Sequence, residues 1–435
     1  MSILSLFPGH RARNAGKTGR GLQSDPVQPL TTVLRRRERG AIGESTPAEG
    51  TDDSILQIPC PMPSDEDRIR DQHQQRGQFL ARQDRWQDLA DLMCEADRTR
   101  ATTPGGMPVA DLLSFGARSD VVLAVEHALT DGRRAGSPAL MSGIEALEEM
   151  LAEDPACPWR GATVAMAHTD TGWFWRGTGW ESQVPDRNLE AFSAHFDRAR
   201  DILDRFAPTR KTSPFVSGAF CALHGAGGQH LDTLTRDFEQ LIDLNPMNPA
   251  PLRSLGNYAS PRWFGSGQAL ELEARRTAAR LLPHWGAGGY TWVMMDALSG
   301  DETVCAALDT DFFIEGLGDI LERRSDQYTA NLLAAWCMNS FARHQSADED
   351  TRITRRKIAA CAGWIVRNHM TELHPLIWAH AARGFDNNLC VNSTRRFAAS
   401  GREDALRLLR HVFRHEINEG LQITFTPKGP VTKQA

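Results

Sequence analysis

The sequence predicts an all-α chain in which irregular helical hairpins pack side by side, and three observations lead there. Stretches with apolar residues three and four apart recur along most of its 435 residues, the mark of helices with one buried face. Two such stretches stop at Asp154 and Asn245, each followed by Pro155 or Pro246, because a proline ring disfavours helical geometry in the residue ahead of it. Each stop then has a second proline three residues on, Pro158 or Pro249, and later an aromatic pair running into two glycines. These are Trp173-Phe174 with Gly177 and Gly179, and Trp263-Phe264 with Gly265 and Gly267. The prolines are offset by 91 residues and the aromatic pairs by 90, which reads as an internal duplication.

Residues 1–63 read as a disordered basic tail. They are rich in Arg, Gly, Ser, Thr and Pro and lack apolar periodicity, so they bury too little surface to offset the entropy of ordering. Gly16-Lys17-Thr18 fails as a phosphate loop, since Arg11 stands where the first glycine belongs and no strand precedes it. An N-terminal helical segment follows over 64–138. Ser64 with Asp67 forms a capping-box-like start, a break falls at Gln83-Asp84, and Trp86, Leu89, Ala90 and Met93 share one face.

The core helical-repeat region is expected over 139–344. A helix at 187–206 has Leu189, Phe192, Phe196, Ala199, Leu203 and Phe206 on one stripe, and 229–244 repeats the pattern with Leu231, Leu234, Phe238 and Leu241. The run from Trp285 to Tyr290, with three glycines, reads as another glycine-aromatic turn. Ten of the eleven tryptophans lie between Trp159 and Trp378, which places the packed body there. C-terminal hairpins fill 345–420, with helices at 350–368, 371–383, 386–399 and 402–417. Only Leu421 to Thr426 alternates like a strand, within a frayed tail over 421–435.

The segments Trp173-Phe174-Trp175-Arg176-Gly177 and Pro261-Arg262-Trp263-Phe264-Gly265-Ser266 resemble those of a bacterial family of tetratricopeptide-like helical-repeat domains. In that family a W-x-x-R-G turn precedes a long helix and a P-R-W-x-G-S turn follows a later one. The resemblance covers roughly residues 140–285. It implies an irregular, tetratricopeptide-like right-handed superhelix and carries no activity with it.

Composition and motifs narrow the function. A net charge of −6 argues against a specific nucleic-acid binder. No segment reaches the ~18 uninterrupted apolar residues of a transmembrane helix. The eight scattered cysteines, with no C-x-x-C pair, point to reduced thiols in the cytoplasm. No cofactor fingerprint is present. His411 and His415 are four apart, but Val412 and Arg414 occupy the places where a zinc-protease glutamate would stand, so no metal is assigned. His369 and His374, like His224 and His230, read as cap or turn residues.

The expectation is therefore a non-catalytic scaffold that binds a protein or peptide through an exposed concave face. Its binding residues would be Trp173, Arg176, Gly177, Gly179, Arg262 and Trp263, which also have a structural reading as equivalent joints of the duplication. The alternative is an enzyme with a polar pocket lined by His168, Asp170 and Arg176.

Overall fold

A computed structural model describes residues 55–132, 137–177, 183–227, 230–339, 348–384 and 393–434. Among them the chain forms nineteen α-helices and one three-stranded sheet, an all-α architecture with a small β appendage. No described helix is long and apolar enough to cross a membrane.

After strand β1 (Leu56–Gln57), Ser64 caps the first helix as its spacing predicts. Its Oγ accepts from the Asp67 N–H while the Asp67 carboxylate accepts from the Ser64 N–H, both at 3.2 Å. Helices α1 (Asp65–Arg82), α2 (Trp86–Thr99) and α3 (Val109–Thr130) follow, with α3 packed back on α1. Reciprocal glycines set that contact. A Cβ at Gly77 would fall 2.0 Å from the Leu113 carbonyl oxygen, and one at Gly116 would fall 1.8 Å from that of Gln74. Next come α4 (Pro138–Glu153), α5 (Pro158–Arg176), α6 (Asp186–Asp204), α7 (Pro214–Ala222), α8 (Leu231–Leu244) and α9 (Pro249–Ala259).

The two proline joints share a backbone path. Asp154 (φ −139°, ψ 75°) ends α4 and Asn245 (φ −150°, ψ 75°) ends α8. Cys157 (φ −79°, ψ 111°) and Asn248 (φ −87°, ψ 114°) then precede the prolines that open α5 and α9, where a missing N–H costs nothing. Beyond the joints the copies diverge. Helix α5 continues for 19 residues and keeps Trp173 inside it, whereas α9 stops after 11. Pro261 accounts for the difference, because it holds Ser260 extended (ψ 157°) and leaves Trp263 in a loop.

The remaining helices are α10 (Gly267–Arg280), α11 (Leu282–Trp285), α12 (Gly288–Gly300), α13 (Glu302–Ala306), α14 (Thr310–Arg323), α15 (Gln327–Asn339), α16 (Glu349–His369), α17 (Pro375–Arg383), α18 (Thr394–Val412) and α19 (Arg414–Asn418). Strands β2 (Leu421–Thr426) and β3 (Gly429–Gln434) close the chain. Two large apolar clusters form the interior. One runs from Leu80 to Leu223, and the other from Cys221 to Phe425 with Leu56 included. The core thus changes hands near residue 221, and the expected boundaries at 138 and 344 do not divide it.

Several expectations need correction. Residues 1–54 lie outside the described residues, but 55–63 are not a tail. Leu56 is 2% exposed, β1 pairs in parallel with β2, and Pro59 accepts a 2.8 Å hydrogen bond from the Leu373 N–H. Nor do residues 421–434 fray, because β3 pairs antiparallel along β2. The expected break between 399 and 402 is absent. Helix α18 runs through Gly401, which is needed for close approach, since a Cβ there would lie 2.2 Å from the Pro375 carbonyl oxygen. At 285–290 the break is confined to Gly286 (φ 57°), and the later glycines already belong to α12.

Leu56→Ala is expected to cost about 2–5 kcal/mol, the range for truncating a buried leucine. Chemical denaturation measures it, and wild-type stability in the variant would show that β1 adds nothing to the core.

Candidate functional site

The residues expected to bind fall in different settings. Trp173 is 7% exposed and packs on Phe192 and Phe196 with ring centroids 4.9 and 5.6 Å away. The Arg176 guanidinium lies 5.7 Å from the Trp173 ring centroid and donates to the Gly177 carbonyl at 3.2 Å. Gly177 ends α5 at φ 68°, a left-handed position suited to glycine, and Gly179 lies outside the described residues. Trp263 is only partly buried and touches both apolar clusters. Arg262 is partly exposed and has no hydrogen bond or ion pair among the described residues, so it does not cap carbonyls as its counterpart does. The two tryptophan segments are not equivalent joints. They approach one another through Gly225, where a Cβ would lie 2.6 Å from Trp173 Cζ2 and 3.4 Å from the Tyr258 hydroxyl, and Tyr258 stacks edge-on against Trp263.

The trio of the enzyme alternative engages three separate sets of partners. On α5, His168 and Asp170 are two residues apart and so face opposite sides. Asp170 accepts a 2.7 Å bond from Arg118 Nε, and Arg176 serves the helix end. His168 Nε2 meets the Glu148 carboxylate at 2.9 Å and its Nδ1 meets His195 Nδ1 at 3.0 Å. Arg198 holds Glu148 through two bonds, 2.9 and 2.7 Å, and its hydrogen bond keeps that carboxyl below its ordinary range. Burial pulls His168 down, and pulls His195 to about 4, so His195 is neutral at pH 7. An ionised Glu148 needs the proton on His168 Nε2. Hence His168 Nδ1 accepts, His195 Nδ1–H donates, and His195 Nε2 keeps a lone pair.

Two of the four histidines read as structural, His224 and His374, pair locally with a carboxylate. His224 meets Asp237 at 2.9 Å and His374 meets Glu372 at 2.8 Å. His411 and His415 stand on separate helices, α18 and α19, because the chain breaks at Phe413. Among the described residues no group of three or more His, Cys, Asp or Glu side chains is arranged for a metal ion.

A site that the motifs did not indicate lies where the Asn245–Asn248 joint meets α2, α3 and α7. There a cavity is lined by Asp97, Asp111, Arg118, Asn245 and Asn248 on its polar side and by Met166, Phe215 and Leu241 on its apolar side. Arg100 ties the walls together. It ends α2 in the left-handed region (φ 55°) and donates to the carbonyls of Asp97, Leu244 (2.9 Å) and Thr212 (3.1 Å), which satisfies exposed ends of two helices.

Asp97, 6% exposed, accepts a 2.9 Å bond from the Phe215 N–H with one oxygen and thereby caps α7. Its second oxygen has no partner among the described residues, and Asp111 has neither a hydrogen bond nor an ion pair there. Burial pushes the Asp111 carboxyl up to about 7; the Asp97 charge adds to this and Arg118 opposes it. Arg118, 4% exposed, is already committed to Asp170 and, at 3.0 Å, to Ser114. Asn245 is 8% exposed, and its side-chain amide is unpartnered among the described residues.

Two predictions follow from these settings. Trp173→Ala is expected to cost about 3–5 kcal/mol and Trp263→Ala clearly less, about 1–2 kcal/mol, in proportion to the apolar area each buries. Equal losses in denaturation would restore the equivalence of the two segments. For Asp111, the folded value near 7 exceeds the unfolded one of 3.8, so the native state binds the extra proton and wild-type stability falls as pH rises through that window. Asp111→Asn escapes that fall. Its advantage over wild type should grow between pH 5 and pH 8 by on the order of 2 kcal/mol, and a pH-independent difference would refute the assignment.

No family model, curated protein or solved structure matches the chain.

Proposed function

We propose that the protein is a non-catalytic helical scaffold that takes up a segment of a protein partner at the cavity beside Asp111. On this reading the helical hairpins form a tetratricopeptide-like right-handed superhelix, as the likeness of the two proline joints and the resemblance of 140–285 suggest. Contacts between distant segments, such as the 3.1 Å bond from Arg324 to the Pro104 carbonyl, tie that array together.

One observation carries the binding reading. Asp97, Asp111 and Asn245 line one cavity with hydrogen-bonding capacity that no described residue uses, and a partner's groups can take it up. Met166, Phe215 and Leu241 offer the apolar area on which a segment can seat. A reducing, cytoplasmic setting is supported by the seven described cysteines, all free thiols. A second reading rests on the Glu148–His168–His195 chain, whose terminal Nε2 lone pair is the arrangement of a general base. It requires a substrate to reach His195, and turnover lost in His195→Ala with the fold intact would favour it.

Gly218 gives a clean test of the binding reading. It lines the cavity from within α7, and a Cβ added there meets nothing within 4 Å. Gly218→Leu should fill the space while raising helix stability by roughly 0.5–1 kcal/mol. Affinity capture with the full chain should recover a partner with wild type and lose it with this variant. Undiminished capture by a stable Gly218→Leu protein would remove the cavity from the function.

A further inference from the structure

Inside the cavity the charges do not balance locally. Asp97 and Asp111 have no counter-ion within ion-pair distance among the described residues, whereas the two arginines beside them are directed elsewhere: Arg118 pairs with Asp170 and bonds Ser114, and Arg100 bonds three main-chain carbonyls. Two like charges facing one cavity repel one another unless a proton or a cation comes between them. An anionic occupant would meet both carboxylates and find the Arg118 charge already paired with Asp170. A neutral apolar occupant would leave both carboxylates unsatisfied.

We propose that this cavity selects a cationic head on an apolar stem, the chemistry shared by a lysine side chain and a free alkylammonium. The inference rests on the binding reading above and names what that reading leaves open. The free Asp97 oxygen, the two oxygens of Asp111 and the amide oxygen of Asn245 are acceptors for the three N–H groups of an ammonium ion. The methylene stem lies against Met166, Phe215 and Leu241. Because Asp97 and Asn245 are themselves nearly fully buried, an ion pair there is screened less than one on the surface.

Binding also moves a proton. Where Asp111 holds one, an arriving cation expels it, so affinity rises with pH through neutrality and proton release fades once the group is ionised. The charged groups around Asp111 are Asp97 and Arg100 at the end of α2, Arg118 on α3 and Asp170 on α5.

Titration calorimetry of the full chain with hexylammonium, hexanol and hexanoate tests this, each run in two buffers of different ionisation heat. Hexylammonium alone should bind, at least tenfold tighter at pH 8 than at pH 6, with proton uptake by the buffer at pH 6.5 and little at pH 8.5. Asp111→Asn should weaken it at least tenfold and abolish the proton release, and Gly218→Leu should exclude it. N-acetyl-lysine methylamide against its norleucine counterpart separates the sources: binding of the lysine form assigns a side chain, and hexylammonium alone assigns a small amine. Equal binding of hexanol or hexanoate, no binding of any amine, or an unchanged Asp111→Asn protein would overturn the proposal. The two readings fail separately. Partner capture that depends on Gly218 but is indifferent to hexylammonium refutes the cation and keeps the scaffold, whereas amine binding without Gly218-dependent capture does the reverse.

Discussion

Close helix contact without side chains is the constraint on which the site depends. Helices α1 and α3 meet through Gly77 and Gly116, each lying against the other's main chain, and α9 meets α12 where a Cβ at Gly256 would fall 1.7 Å from the Val293 carbonyl oxygen. Such contacts leave no room for a methyl group, so they fix interaxial distances more firmly than interlocking side chains do. One helix of each pair, α3 and α9, lines the cavity. The first sets where Asp111 and Arg118 stand, and the second sets where the Asn248 end of α9 points.

The two apolar clusters meet at the same level of the molecule. Trp173 from the first reaches Gly225, Tyr258 lies on the other side of that glycine, and Trp263 touches both clusters. The tryptophan segments that look like repeats in the sequence are therefore better described as the two sides of one seam. Their similarity reflects a shared need for a flat aromatic surface beside a glycine, and the common backbone path of the proline joints does not extend to them.

Much of the helical framework was legible because its signals are local. Stripes such as Phe192–Phe196–Ala199–Leu203 and stops such as Asp154-Pro155 depend only on neighbouring residues, and the Ser64–Asp67 box formed as its spacing implies. What failed was non-local. Gly401 looked like a helix end, yet it serves an approach to α17 that no local pattern reveals. A two-residue strand such as Leu56–Gln57 has no periodicity to detect. The cavity was hidden for a related reason: Asp111 in a first helical turn looks like an ordinary acid favoured by the helix dipole. One signal was available, since Asp97 continues the apolar stripe of Trp86, Ala90 and Met93, and a carboxylate on a buried stripe asks for a partner. The trio of His168, Asp170 and Arg176 was misled by closeness along the chain, which on a helix sends residues two apart to opposite sides.

The parallel pairing of β1 with β2 has a kinetic consequence. It joins opposite ends of the described chain, with Leu56 seated in a cluster otherwise built by the C-terminal half. Closing a loop of that size loses chain entropy before any contact compensates it, so this pairing forms after the local hairpins have folded. During synthesis the segment around Leu56 leaves the ribosome well before the hairpin of β2 and β3 with which it pairs. Until then β2's partner edge and Leu56 stay open to solvent and to chaperones, so that a nascent or truncated chain presents a different surface from the finished one.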